Sequence, residues 1–165
     1  MKIVTIENVQ EGAFLYISTN EGFREYFYND SLGNKTIGYG FNADVYTDLT
    51  EPISKSEADN LLRRIILKER SFYLPEIYNY DVGVDYVQII SNLPKNIEIV
   101  LLDLCYNLGI EQLKQFFVFN NYIRDKKFSS AALDLEHTLW FEEVGIRGKR
   151  AVFNLFNPSE DKLYI

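Results

Sequence analysis

The chain has few of the side chains that build disulfide frameworks and zinc sites. Its 165 residues include 1 cysteine, Cys105, and 1 histidine, His137. A single cysteine excludes an internal disulfide, and one histidine without a cysteine cluster argues against a structural zinc site. Cys105 lies in an apolar run, which is typical of a buried and unreactive thiol. We therefore expect no bound metal.

Basic side chains and long apolar runs are also scarce. The 17 Lys and Arg residues are outnumbered by 24 Asp and Glu residues, so the formal net charge is −7. Nucleic acids and anionic membrane surfaces bind basic faces, so we expect neither a nucleic-acid partner nor stable membrane binding. No stretch is long enough to span a bilayer, and the apolar run in Met1–Glu7 is too short for a signal peptide. We expect synthesis in the cytoplasm, followed by release or delivery if the substrate lies outside.

What is present is enough to build a core. The chain is 47% hydrophobic and 15% aromatic, which suits one globular domain. The pattern predicts an extended arm over roughly the first ten residues. It then predicts a helix that begins at Val9, reaches toward Glu21 and stops near Gly22. The aromatic and glycine-containing stretch 23–41 is typical of a small β-hairpin.

Helical scaffold is predicted for most of the remaining chain. Ser54, with Glu57 three residues later, is a capping-box signature, so a long helix should run from 55 to about 74 and end or kink at Pro75. Residues 97–108 are apolar nearly all round, which is typical of a central buried helix. Shorter helices are predicted over four further stretches: 85–91, 111–123, 129–139 and 147–156.

These elements predict an α+β fold that is mainly helical, in a single domain over 1–165. A small N-terminal lobe of about 11–54 carries the hairpin, and an interlobe helix of about 55–75 follows it. A helical C-terminal lobe of about 76–165 completes the chain, and the first helix is free to pack on it. The alternative is a plain α+β domain in which the hairpin has no special role.

Two carboxylates near the hairpin have the surroundings that glycoside hydrolysis needs. That reaction uses one protonated carboxyl group to protonate the leaving oxygen, and one ionised carboxylate to activate water or attack the sugar. Glu21 lies near the end of a helix that packs on the core, where partial burial raises a carboxyl pKa. Asp30 lies in a turn, where solvent and backbone N–H groups favour the ionised form. Taken singly, each is more commonly a solvated or capping residue.

Thr36 lies across the same hairpin from Asp30. Its hydroxyl group both donates and accepts, so it could hold a water molecule between itself and Asp30. Water that attacks the far face of the sugar inverts its configuration, which requires carboxyl groups roughly 6.5–9.5 Å apart, against about 5–5.5 Å for retention. The three residues therefore predict an inverting polysaccharide hydrolase that uses no cofactor.

The stretch around these residues resembles the motif of the phage-type lysozymes, glycoside hydrolase family 24, and looks similar to their T-even phage branch. Glu-Gly opens it, eight residues separate Glu21 from Asp30, five separate Asp30 from Thr36, and Thr-Ile-Gly-Tyr-Gly closes it. Phe41 departs from the family, which often has histidine there, so a buried histidine ion pair is not expected. The resemblance covers roughly 11–157 and includes three further elements: Ile53–Ala58, Leu101–Gly109, and Trp140 followed by Arg147.

The resemblance implies a lysozyme-like two-lobed fold and a muramidase, which cleaves the β-1,4 bond between N-acetylmuramic acid and N-acetylglucosamine in peptidoglycan strands. It implies Glu21 as general acid, Asp30 as base and Thr36 as the residue that positions water. It also implies that Arg147 pairs with Glu21; burial and an arginine partner shift a carboxyl pKa in opposite directions, and the sequence leaves open which prevails. The resemblance also implies a substrate cleft lined by Asn42, Tyr106 and Asn107, and more weakly by Phe119 and Asp134, which an ungapped extension past Gly109 adds.

Two other functions stay open at this point, and a monomer is expected in each case. One is a glycan-binding or phage structural module that does not cut, which the intact set of Glu21, Asp30 and Thr36 disfavours. The other is a related chitinase or lytic transglycosylase; the latter needs no base for water, so Asp30 and Thr36 count against it. The biological role, as endolysin, virion lysozyme or delivered effector, is open as well.

Overall fold

The fold is known from a computed structural model, which describes residues 1–78 and 92–165. These residues form the mainly helical α+β structure that was predicted, with two small antiparallel sheets. The short helix expected near 85–91 lies outside the described residues. Within the described ranges, no helix has both the length and the apolar character to cross a membrane.

The strands are short and lie at the two ends of the chain and in the hairpin region, whereas the helices occupy the rest. The strands are β1 Ile3–Thr5, β2 Arg24–Asn29, β3 Lys35–Gly38, β4 Phe41–Asn42 and β5 Lys162–Tyr164. The first helices are α1 Val9–Glu21, α2 Lys55–Lys68, a π-helical segment Glu69–Tyr73 and α3 Leu74–Tyr78. The later helices are α4 Lys95–Leu108, α5 Ile110–Lys114, α6 Phe117–Arg124, α7 Phe128–Glu136, α8 Leu139–Val144 and α9 Ile146–Phe156.

Helix α4 is the centre of the core, as its apolar sequence predicts. Ile99, Leu101 and Leu104 have no solvent exposure, and α1 and α9 both pack against this helix. The first helix therefore contacts the helical C-terminal half, although it precedes the hairpin in sequence. This contact fixes the end of α1, at Glu21, relative to the ends of α4 and α9.

The prediction of one helix over 111–123 was wrong, because the helix is interrupted at Gln115 and Phe116. Phe116 has a non-helical ψ of 58° and begins α6. The Asn120 side chain donates to the carbonyl oxygen of Leu113 at 2.8 Å. This side-chain bond reaches back across the break, where the regular helical ladder is interrupted.

The prediction of one helix over 129–139 was also wrong. Helix α7 ends at Glu136, and Thr138 begins α8 by accepting a hydrogen bond from the backbone N–H of Phe141 at 3.2 Å. Threonine is favoured at helix N-caps because its hydroxyl oxygen accepts a hydrogen bond from a backbone N–H of the first turn. Two helices therefore replace one, and Trp140 lies in the first turn of the second.

The chain ends form a two-stranded sheet that the sequence did not reveal. The extended arm is present as β1, and it pairs with β5 so that Val4 lies opposite Leu163. Leu163 is fully buried, and the Asn154 side chain exchanges two hydrogen bonds with the backbone of Tyr164. Both termini are thus attached to α9.

Candidate active site

A cavity of about 920 Å³ lies beside the hairpin, and Glu21, Asp30 and Thr36 all line it. The end of α4 supplies Tyr106 and Asn107 to its opposite wall, and helix α8 supplies further lining. The structure therefore brings the three residues predicted for chemistry into one cavity. A volume of this size is in the range of ligand sites.

Glu21 ends α1 and is mostly withdrawn from solvent, with a side-chain exposure of 17%. Its Oε1 accepts a hydrogen bond from Arg147 Nη1 at 2.6 Å, so the contact expected between these residues is present. Burial raises the pKa of the Glu21 carboxyl group; the Arg147 charge and hydrogen bond oppose this, and Asp103 adds to it. Burial prevails, and the carboxyl group holds its proton to a higher pH than an exposed glutamate.

Gly40 gives Glu21 the room it occupies. The hairpin predicted over 23–41 is present as β2 and β3, but β3 ends at Gly38 and a tight turn leads into a third strand, β4. Gly40 has a φ of +85°, and a Cβ atom there would lie 2.8 Å from Glu21 Oε2. Only glycine combines this backbone angle with such an approach. The glycines of the motif therefore shape the turn that faces the acid.

Asp30 lies in the turn between β2 and β3 and is held by hydrogen bonds. Its Oδ1 accepts from the backbone N–H groups of Leu32 at 2.9 Å and Asn34 at 2.8 Å. Its Oδ2 accepts from the Asn34 side-chain amide at 3.0 Å. These bonds, that of the Asn34 side chain foremost, lower the pKa of the Asp30 carboxyl group. The pKa values of Glu21 and Asp30 are thus shifted in opposite directions by their different surroundings.

Thr36 is almost fully buried on β3, with 3% exposure, yet it reaches the cavity. Its hydroxyl group donates to the backbone carbonyl of Asn34 at 2.9 Å. Because its one proton is used in this bond, the hydroxyl oxygen is left to act as an acceptor. A water molecule in the cavity could donate to it.

Tyr106 and Asn107 line the cavity, and each side chain also makes an internal bond. The Tyr106 hydroxyl donates to the backbone carbonyl of Tyr39 at 2.6 Å, which ties α4 to the hairpin turn. The Trp140 indole donates to Asn107 Oδ1 at 2.7 Å. Trp140 is 6% exposed and contributes one edge to the cavity. The Asn107 amide N–H₂ group is left to donate to a ligand.

Three predicted cleft residues are not brought to the cavity lining. Phe119 lies on α6 and is fully buried, with its ring centroid 6.5 Å from that of Phe116, so the structure does not place its side chain in the cleft that the resemblance implied. Asn42 accepts a hydrogen bond from the backbone N–H of Asp44, and Asp134 lies on α7. Among the described residues, neither Asn42 nor Asp134 belongs to the lining.

Two functional neighbours were missed from the sequence. Asn34 was not singled out, because asparagine is common in turns and the sequence does not record its side-chain bond to Asp30. Asp103 was passed over inside the apolar run of α4. A lone charge in such a run signals a buried partner, and here that partner is Arg147.

Comparison with known proteins gives a match over most of the chain. The family model described as "Phage lysozyme" matches residues 18–149. A curated protein of Dictyostelium discoideum named "Probable T4-type lysozyme 2" is 25% identical over 166 residues, which cover 88% of this chain and 93% of that protein. The matched range contains every residue that lines the cavity, from Glu21 to Val144.

Proposed function

Because the chain belongs to the phage lysozyme family, we propose that it is a peptidoglycan hydrolase that cleaves the β-1,4 bond between N-acetylmuramic acid and N-acetylglucosamine. One observation carries this proposal: two carboxyl groups line the same cavity, and their surroundings shift their pKa values in opposite directions. A pair of this kind supplies an acid and a base to one bond.

Glu21 is the proposed general acid. Its raised pKa keeps the carboxyl group protonated further toward neutral pH, and its Oε1 is already engaged by Arg147. The proton is therefore available from Oε2, which points to the Gly40 side of the group. In the reaction this proton passes to the glycosidic oxygen as the bond to the anomeric carbon breaks.

Asp30 is the proposed base, and Thr36 positions the water. One O–H of the water faces the Asp30 carboxylate, which takes its proton; the other O–H donates to the Thr36 hydroxyl oxygen. The water's lone pair is then directed at the anomeric carbon, opposite the leaving group. This geometry produces inversion of configuration. No metal or redox group takes part in these steps.

The far wall of the cavity offers contacts for the sugars. The Asn107 amide can donate to an N-acetyl or peptide carbonyl oxygen. Tyr106 is held by its bond to Tyr39 and can pack its ring on a sugar face. These contacts fit a glycan strand that lies between the hairpin and the end of α4.

The direct test is release of muropeptides from purified cell walls by the wild type and by Glu21→Gln. We expect the variant to lose about 10²–10⁴-fold in rate, because a positioned general acid contributes that much. Glu25→Gln is the matched control, since Glu25 is an exposed glutamate on the neighbouring strand β2. It should keep the wild-type rate.

The products of the same reaction separate the competing functions. Hydrolysis yields reducing ends, and NMR of the first-formed anomer should show inversion. A retained anomer would contradict the assigned water, and 1,6-anhydro products would identify a lytic transglycosylase instead. Glycan binding without any release by the wild type would identify a binding module and end the enzyme proposal.

A further inference from the structure

Asp103 is a carboxylate inside the apolar helix α4, and it is fully buried. Arg147 donates to it twice, from Nε to Oδ2 at 3.0 Å and from Nη2 to Oδ1 at 2.8 Å. The Asn20 amide donates to Oδ1 at 3.2 Å. A buried carboxylate is costly unless it is paired and hydrogen-bonded in this way. The side chain is therefore committed to Arg147 and cannot serve solvent or substrate directly.

The hydrogen bonds that the Arg147 guanidinium donates are shared unequally between two carboxyl groups. Its two donors on the Nε side form a fork with Asp103, while Glu21 receives a single bond from Nη1. Two parallel bonds fix the plane of a guanidinium, whereas one bond does not. Asp103 therefore sets the orientation of Arg147, and Arg147 in turn sets the position of Glu21 Oε1.

We propose that Asp103 is a positioning residue for the reaction: it fixes Arg147 by a two-bond contact, so that Glu21 receives one bond at Oε1 and keeps Oε2 for the leaving oxygen of the substrate. This inference rests on the proposed function, because it assigns a purpose to the protonated form of Glu21.

The charges around the pair support this role. Glu21 faces the Arg147 and Asp103 charges and the phenols of Tyr28 and Tyr106. The Arg147 charge lowers the pKa of the Glu21 carboxyl group, and the Asp103 charge opposes it by raising that pKa.

Asp103 in turn faces the Tyr16 phenol and the buried Glu69 carboxyl group on the π-helical segment. Burial raises the pKa of the Glu69 carboxyl group well above its usual value, and the Asp103 charge adds to this. The two opposite charges that act on Glu21 from this side are those of Arg147 and Asp103.

The test is Asp103→Asn, which keeps the shape of the side chain and removes its charge. The uncompensated Arg147 then stabilises the Glu21 anion, so the pKa of Glu21 falls. As the pH is raised, activity therefore begins to fall at a lower pH than in the wild type. We expect kcat/KM at pH values above the optimum to fall about tenfold further than at pH values below it, as a gained opposite-charge contact shifts a carboxyl by one unit or more. A uniform loss across the profile would overturn the proposal.

A second readout does not depend on activity. The Glu21 side-chain carboxyl carbon, followed by NMR in protein labelled with ¹³C-glutamate and assigned through Glu21→Gln, should titrate at lower pH in Asp103→Asn than in the wild type. An unchanged titration in a folded variant would overturn the proposal even if peptidoglycan proved not to be the substrate. If the wild type does not hydrolyse peptidoglycan, the proposed function is overturned, whereas the effect of Asp103 on Glu21 is still decided by the titration.

A double variant separates charge from packing. In Asn20→Asp/Asp103→Asn, the amide and the carboxylate exchange places, so the bond between the two positions is restored. The carboxylate then faces Arg150, whose Nη1 now bonds Asn20 Oδ1 at 2.7 Å. We expect the melting temperature to recover toward the wild type while Glu21 still titrates at lower pH. Full recovery of the wild-type titration would show that the carboxylate serves equally well at residue 20, which would overturn the role assigned to the two-bond contact of Asp103.

Discussion

At the scale of single residues, the chemistry depends on backbone positions as much as on the acids themselves. Gly40 and Gly33 have nearly the same φ, +85° and +84°, but only Gly40 lies against Glu21. The contact involves the end of a flexible side chain. An added methyl group would therefore move the carboxyl group rather than disrupt the core.

We expect Gly40→Ala to lower kcat/KM by roughly 10²-fold, because small displacements of a catalytic group cost that much. Gly109→Ala is the matched control: with a φ of +78° it carries similar backbone strain, roughly 1–2 kcal/mol, but its Cβ atom meets no neighbour within 4 Å. The two variants should show similar melting temperatures and very different rates. Equal rates would show that the approach to Glu21 has no functional effect.

Asn34 should control the acidic side of the pH–rate profile. Its side chain is the foremost cause of the lowered pKa of Asp30, so Asn34→Ala raises that pKa. Since the base must be ionised, activity is then lost at a higher pH as the solution is acidified. We expect the acidic limb of kcat/KM to move up while the alkaline limb, governed by Glu21, stays in place. An acidic limb that does not move would show that ionisation of Asp30 does not govern the rate.

At the scale of elements, α2 is stabilised at its start by a reciprocal cap. Ser54 Oγ accepts from the Glu57 backbone N–H at 3.1 Å, and Glu57 Oε2 accepts from the Ser54 backbone N–H at 2.9 Å. The helix continues without a break into the π-helical segment Glu69–Tyr73 and then α3. Pro75 therefore does not end the helical run; the regular ladder instead changes just before it to the π-helical turn, in which the Leu74 N–H donates to the carbonyl oxygen of Glu69, five residues back.

Ser54→Ala should cost about 1 kcal/mol, the usual value for a lost N-cap, and lower the melting temperature by about 2–4 °C. Ser56→Ala, an exposed serine in the first turn of the same helix, should change stability by less than about 0.5 kcal/mol. Thermal unfolding followed by circular dichroism measures both. Equal effects would show that the cap adds nothing beyond helix propensity.

At the scale of the whole molecule, the β1–β5 sheet joins the two ends of the chain beside α9, which also carries Arg147. Leu163 is the buried centre of this sheet. The division into lobes of about 11–54 and 76–165, and the monomeric state, stay predictions that solution scattering can measure. The cavity includes the acidic side chains of Glu21, Asp30 and Glu143, which agrees in sign with the net charge of −7.

Leu163→Ala should destabilise the fold by about 2–5 kcal/mol, as buried leucine truncations do, and lower the melting temperature by roughly 5–15 °C. The neighbouring exposed Lys162→Ala should have little effect. Activity measured well below the transition should persist in both, because neither side chain reaches the cavity. A Leu163→Ala variant as stable as the wild type would show that the terminal sheet does not hold the fold together.

The sequence by itself determined the mainly helical fold, the capped start of α2 and the spacing of Glu21, Asp30 and Thr36, because these depend on local periodicity, capping and turn chemistry. Only the tertiary structure decided that burial outweighs Arg147 at Glu21, that Asp103 rather than Glu21 takes two of the arginine's bonds, and that Phe119 faces the core. Each of these depends on side chains brought together from distant parts of the chain, and no local pattern records such contacts.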